Sequence, residues 1–135
     1  MFIAILQHHK IITMQTKIFR RIFKRINSII GKNIKGKIDR PIGSVHPKYS
    51  NMIYPINYGY VEGIFARDGE EQDVYVLGTN KPLQTFEGKV IAVYHRFNDM
   101  EDKWIVSLNG ENYSDEEILN AIYFQEKYFK GELIR

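Results

Sequence analysis

From residue 34 onward the chain is cut into short β-like runs by turn residues, and this punctuation most constrains its fold. Ile34 to Asp39 reads as a strand, and Pro41, Gly43 and Pro47 break the segment after it. Met52-Ile53-Tyr54 is a short strand candidate closed by Pro55; Tyr58 to Val61, Asp73 to Leu77, Lys89 to Phe97 and Lys103 to Leu108 come next. Gly63, Asp68-Gly69, Gly78, Gly88 and Asn109-Gly110 separate them. Short strands at this spacing predict a small barrel or sandwich. With 135 residues the chain suits one compact domain better than two.

Helical patterns lie at both ends. Over residues 16–30 the apolar positions are Ile18, Phe19, Ile22, Phe23, Ile26, Ile29 and Ile30, with Lys17, Arg20, Arg21, Lys24 and Arg25 on the other face. This segment reads either as a basic amphipathic helix on an anionic membrane surface or nucleic acid, or as a helix packed on its own domain. At the far end, Ser114 and Glu117 form a capping box, with Asp115 and Glu116 in the first turn. Ile118, Leu119, Ile122, Tyr123 and Tyr128 give that helix its apolar stripe, and its end is expected near Lys130-Gly131.

The net charge of +3 hides a division along the chain. Residues 1–40 hold ten Lys or Arg and a single acid, Asp39; the remainder holds nine basic and fifteen acidic residues. We therefore expect a basic extension over residues 1–33 and an acidic domain over 34–135, with metal chemistry in the latter. There is no cysteine, which excludes disulfides, thiolate metal sites and cysteine nucleophiles and suits a reducing compartment. The opening apolar run is interrupted at His8, His9 and Lys10, and its charge comes after the run, so we read no membrane span and no secretory signal.

Two acidic clusters stand at strand edges. Asp68-Gly69-Glu70-Glu71-Gln72-Asp73 leads into Val74-Tyr75-Val76-Leu77, and Asp99-Met100-Glu101-Asp102-Lys103 lies between two other runs. In an extended segment residues two apart share a side, so Asp68 and Glu70 could face one cleft, with Asp73 swung round by a turn. Asp99 and either Asp102 or Glu101 would come from the neighbouring loop. Carboxylates gathered this way call for hard cations such as Mg²⁺, and paired Mg²⁺ ions suit phosphoryl transfer. The plainer alternative is two solvated acidic turns. His46 and His95 have no partner at metal-ligand spacing and read as structural.

The block Tyr54-Pro55-Ile56-Asn57-Tyr58-Gly59-Tyr60, followed by Asp68-Gly69-Glu70 and Asp73-Val74, resembles the Y-P-x-N-Y-G-[YF] and D-G-D-P-x-D-V blocks of family I soluble inorganic pyrophosphatases. The resemblance covers roughly residues 34–130. It implies an OB-like five-stranded β-barrel with flanking helices, and Mg²⁺-dependent hydrolysis of pyrophosphate to two phosphates by a cytoplasmic homo-oligomer. The acidic balance of residues 34–135, and not the resemblance, argues against nucleic acid as a partner of the domain. The resemblance further implies metal ligands at Asp39, Asp68, Asp73, Asp99 and Asp102 or Glu101, and a water-orienting carboxylate at Glu70. Phosphate contacts are implied for Lys48, Tyr58, Lys103 and Tyr128. The family's hairpin before the Tyr-Pro block is nearly absent here, and Arg40 is the candidate to replace its phosphate-binding arginine. Glu70 and Glu71 stand for the family's Asp and Pro, and Phe129 stands where a lysine follows the helix tyrosine.

Overall fold

The computed structural model describes residue 17, residues 20–99 and residues 101–135. After helix α1 (residues 20–29) come β1 (Asn33–Arg40), β2 (Asn57–Phe65), β3 (Glu71–Leu77), β4 (Thr85–Arg96) and β5 (Asp102–Ser107). Helix α2 (Asp115–Glu126) and the short β6 (Gly131–Ile134) end the chain. The strand order is β1-β2-β3-β5-β4-β6, and β1 also pairs with the first half of β4. That second pairing closes five strands into the expected barrel, with β6 added to the far end of β4. Only β3 and β5 run parallel.

Two apolar layers arise from the alternation of strand side chains. All five barrel strands contribute to one layer, in which Val61, Val74, Val76, Phe86, Val90 and Val106 are buried and Ile34 and Ile38 pack against them. The alternate residues Tyr58, Tyr75, Leu77 and Ile105, with Ala92 and Tyr94 of β4 switched across by the irregularity between Val90 and Ala92, form the second layer with Ile118 and Ile122 of α2. Because β3 and β5 are covered on both sides, their sequences read as near-continuous apolar runs.

The capping box of α2 forms as expected: Ser114 Oγ accepts from the Glu117 amide and Glu117 Oε1 accepts from the Ser114 amide. The stripe differs from the expectation. Ile118 and Ile122 are buried, whereas Leu119 and Tyr123 are exposed, and Gln125 and Glu126 take the remaining buried positions. The helix ends at Glu126, four residues before Lys130, because the chain must turn to lay Gly131–Ile134 beside β4. The expected helix end at Lys130-Gly131 is therefore the start of this last strand.

Met52-Ile53-Tyr54 forms no strand. A single bridge joins Val45 to Ile53, and the Pro-rich stretch 41–56 otherwise runs as turns. The described part of α1 packs on the barrel: Ile26 is buried against Val93 and Ile134, with Ile22, Ile29, Ile30 and Trp104 around it. Ile18 and Phe19 of the predicted apolar face lie outside the described residues, as do His8 and His9. Among the described residues no helix is long and apolar enough to cross a membrane.

Candidate functional site

A cleft of about 640 Å³ opens where β2, β3, β4 and β5 meet the C-terminal end of α2 and the 46–52 loop. Arg40, Lys48, Tyr58, Asp73, Asp99, Glu101, Lys103 and Tyr128 line it, and so do His46, Arg96, Gln125 and Phe129. Strand alternation explains the selection. Asp73 stands on the same face of β3 as Tyr75, and Lys103 on the same face of β5 as Ile105, so both side chains point to the layer under α2.

Lys103 is only 2% exposed. Its Nζ donates to Asp73 Oδ2 at 2.6 Å, to Tyr58 OH at 3.0 Å and to Glu101 Oε2. It is thus a buried hub and not a surface ion pair. Burial, reinforced by the negative charge of Asp73, pushes the Tyr58 hydroxyl well above its ordinary range and keeps it a neutral phenol.

The alternative left open between Glu101 and Asp102 is resolved in placement. Glu101, two residues before Lys103, turns to the cleft. Asp102 takes the other side of β5 and meets His95 Nδ1 at 2.7 Å and Arg67 at 3.5 Å. His95 pairs there, whereas His46 lines the cleft and its Nδ1 accepts from the Lys48 amide. Partial burial, with the positive charges of Arg40 and Lys48, pushes His46 below its ordinary range.

The 68–70 turn does not reach the cleft. Asp68 Oδ1 accepts from the Glu70 amide, Gly69 adopts φ 85°, and both carboxylates lie outside the cleft lining. A shared side for Asp68 and Glu70 needs an extended segment, and the chain is a tight turn at that point. Asp39, on β1, is likewise absent from the cleft lining. Burial and the nearby charge of Asp73 raise its carboxyl, against the opposing pull of Arg40.

Two central residues carry no sequence motif. Arg96, 4% exposed, forms a bidentate ion pair with Glu126, at 2.8 Å from Nε and 2.7 Å from Nη2. Its Nη1 reaches Asp99 and Glu101 at 3.3 Å each, and its guanidinium stacks 3.6 Å from the Phe129 ring centroid. Burial alone would lower Arg96; the pair with Glu126 outweighs it and holds the group charged. Phe129 thus does something that a lysine at its position would not.

Behind the cleft runs a continuous hydrogen-bond chain. Arg40 donates to Tyr54 OH, Tyr54 donates to Gln125 Oε1 (2.9 Å), and Gln125 Nε2 donates to Tyr75 OH (2.7 Å). Tyr75 then donates to Glu126 Oε1 at 2.6 Å. Each hydroxyl accepts one bond and donates one, so four buried polar side chains are satisfied in one direction. No buried side-chain polar atom among the described residues lacks a partner.

These residues do not fit a preformed metal cluster. Asp73, Asp99 and Glu101 reach the cleft, but each is bonded to Lys103 or Arg96. A cation coordinated by Asp73 would sit within a few ångströms of the Lys103 ammonium. Two unit charges 4 Å apart repel by about 4 kcal/mol at an effective dielectric of 20, and a dication doubles this. Among the described residues no group of three His, Cys, Asp or Glu side chains is arranged to hold a metal ion.

A closed five-stranded barrel with a cationic, tyrosine-lined cleft beside a C-terminal helix defines the class of molecule. The family model for inorganic pyrophosphatase matches residues 26–122, and the chain belongs to that family. The inorganic pyrophosphatase of Sulfolobus acidocaldarius is 36% identical over 87 residues, covering 58% of this chain and 49% of that protein. That of Saccharolobus solfataricus is 31% identical over 85 residues with the same coverage. The chain therefore spans about half the length of these curated relatives. Among solved structures, inorganic pyrophosphatase from Ehrlichia chaffeensis superposes with a TM-score of 0.59 at 21% identity, over 76% of this chain and 85% of that one. That likeness establishes the barrel fold.

Proposed function

We propose that this chain hydrolyses pyrophosphate, or a close small phosphoanhydride, in the cleft. One observation carries the reading: Arg40, Lys48, Tyr58, Asp73, Lys103 and Tyr128 come from six separate parts of the sequence and converge on a single opening. Arg40 and Lys48 meet the phosphate oxygens, the neutral Tyr58 hydroxyl and the buried charge of Lys103 face the reacting phosphoryl group, and Tyr128 closes the rim. Asp73 takes the water-orienting role expected of Glu70, since it is the carboxylate of the D-G-x-x-x-D block that faces the cleft. One P–O bond of the anhydride breaks as the water oxygen bonds to phosphorus, and the water's proton passes toward Asp73. Mg²⁺ is kept as the cofactor that the family implies, and the test titrates it.

The turn at Asp68 and Glu70 away from the cleft, and the cations seated among the cleft carboxylates, favour a second reading in which the barrel binds such anions without hydrolysing them. Phosphate release from pyrophosphate, with Mg²⁺ and with EDTA, separates the two. Release that Asp73→Asn abolishes supports hydrolysis. No release from folded protein at any Mg²⁺ concentration overturns it in favour of the binding module.

Two partner assignments belong to the same proposal. Arg20, Arg21, Lys24 and Arg25 remain exposed on α1 and favour weak contact with an anionic surface; sedimentation with anionic vesicles tests it. Assembly into a homo-oligomer is tested by light scattering.

A further inference from the structure

The carboxylates lining the cleft are bonded to Lys103 and Arg96, while two cations on its other side make no ion pair, Arg40 having only the nearby charge of Asp39. Among the described residues, neither Arg40 nor Lys48 has a carboxylate within ion-pair distance. Both line the cleft, and the Lys48 amide is fixed to His46. Arg40 is not a loose surface side chain. It lies over the rings of Tyr54 and Tyr58, at 5.6 and 5.3 Å from their centroids, and donates to Tyr54 OH. Through Tyr54, Gln125 and Tyr75 it is tied to the Arg96–Glu126 pair. Such a site is organised for an anion before any ligand arrives, which lowers the ordering cost of binding.

We propose that the cleft binds a pyrophosphate-class anion without any divalent cation, between Arg40 and Lys48, with the Tyr54–Gln125–Tyr75–Glu126 chain holding Arg40 in place. The inference rests on the cleft being the pyrophosphate site, but concerns binding and not turnover. It departs from a centre in which metal ions carry the substrate. Here the held guanidinium of Arg40 and the exposed ammonium of Lys48 supply the positive charge, and Gln125 is a positioning residue that acts through Tyr54 on Arg40.

The test is calorimetric titration of the full chain with pyrophosphate in EDTA, and in Mg²⁺ beside it, with inorganic phosphate as a second probe. Saturable binding in EDTA is expected, weaker by about tenfold or more in Arg40→Met, since a hydrogen bond to a charged group contributes on that scale. Gln125→Met, checked for fold by circular dichroism, is expected to weaken binding without removing a charge. The dependence of affinity on salt then keeps its wild-type slope, whereas Arg40→Met lowers that slope. An Arg40 Nε–H resonance that moves with pyrophosphate in wild type, and not in Gln125→Met, marks the positioning role. Binding in Mg²⁺ but not in EDTA overturns the inference and leaves the proposed function standing. Binding in EDTA without phosphate release under any condition supports the inference and overturns hydrolysis. No binding in either buffer overturns both.

Discussion

Arg96 and Glu126 share two hydrogen bonds, of 2.8 and 2.7 Å, and each residue is about 4% exposed. One comes from the end of β4 and the other from the last residue of α2, so the pair fastens the helix to the barrel beside the cleft. Breaking a buried pair leaves the surviving charge without a partner, at a cost of about 3–5 kcal/mol. Glu126→Ala is expected to lose that much stability in urea unfolding. A loss below about 1 kcal/mol, the range of a surface pair, would show that the guanidinium is solvated.

The first acidic cluster, Asp68 to Asp73, is predicted to divide in function. Asp73 faces the cleft while Asp68 and Glu70 close a turn outside it. Asp73→Asn should lower phosphate release by ~10²–10⁴-fold, the range of a positioned acid or base. Asp68→Asn and Glu70→Gln should release phosphate at rates near wild type. Equal losses in all three variants would place the 68–70 turn in the working site.

Gly59 of the Tyr-Gly-Tyr block lies where β1 and β2 pair, opposite Ile38. A Cβ there would overlap the backbone carbonyl of Lys37. The obstacle is backbone and cannot rotate away, so Gly59→Ala is expected at or above the upper end of the about 1–3 kcal/mol typical of overpacking. Thermal unfolding measures it, and an unchanged midpoint would contradict the register Ile38↔Gly59.

The capping box sets part of the acid limb of stability. Hydrogen bonds from the Ser114 backbone and side chain hold the Glu117 carboxyl below its ordinary value of 4.5. The unfolded chain therefore binds its proton more readily than the folded one. The contribution is present above the ordinary value and is lost as pH falls through the folded one. Glu117→Gln should flatten the fall in midpoint on the acid side; an unaltered slope would remove Glu117 from the acid limb.

Much of this architecture is legible in the residues. The turn glycines separate the strands, and the Tyr-Pro and Asp-Gly blocks identify the family and hence the barrel closure that no local pattern reveals. The site is less legible, for two reasons. Whether an acidic segment is extended or turned decides where its carboxylates point, and Asp68 through Glu70 form a turn. Arg96 and Glu126 look like ordinary charged residues at the ends of a strand and a helix. The signal that marks Glu126 is its place four residues after Ile122 and eight after Ile118, a polar side chain at a buried stripe position. The parity of Glu101 with Lys103 is equally readable and separates it from Asp102. The short β6 carries too few residues for any periodicity.

The most direct test of the site is an NMR titration of the full chain with imidodiphosphate, a pyrophosphate analogue with nitrogen in place of the bridging oxygen. The resonances of Arg40, Lys48, Tyr58, Lys103 and Tyr128 are predicted to move together and saturate together, while those of residues 68–70 stay in place. Shifts confined to residues 68–70, or none at a saturating concentration, would contradict the assignment of the cleft as the pyrophosphate site.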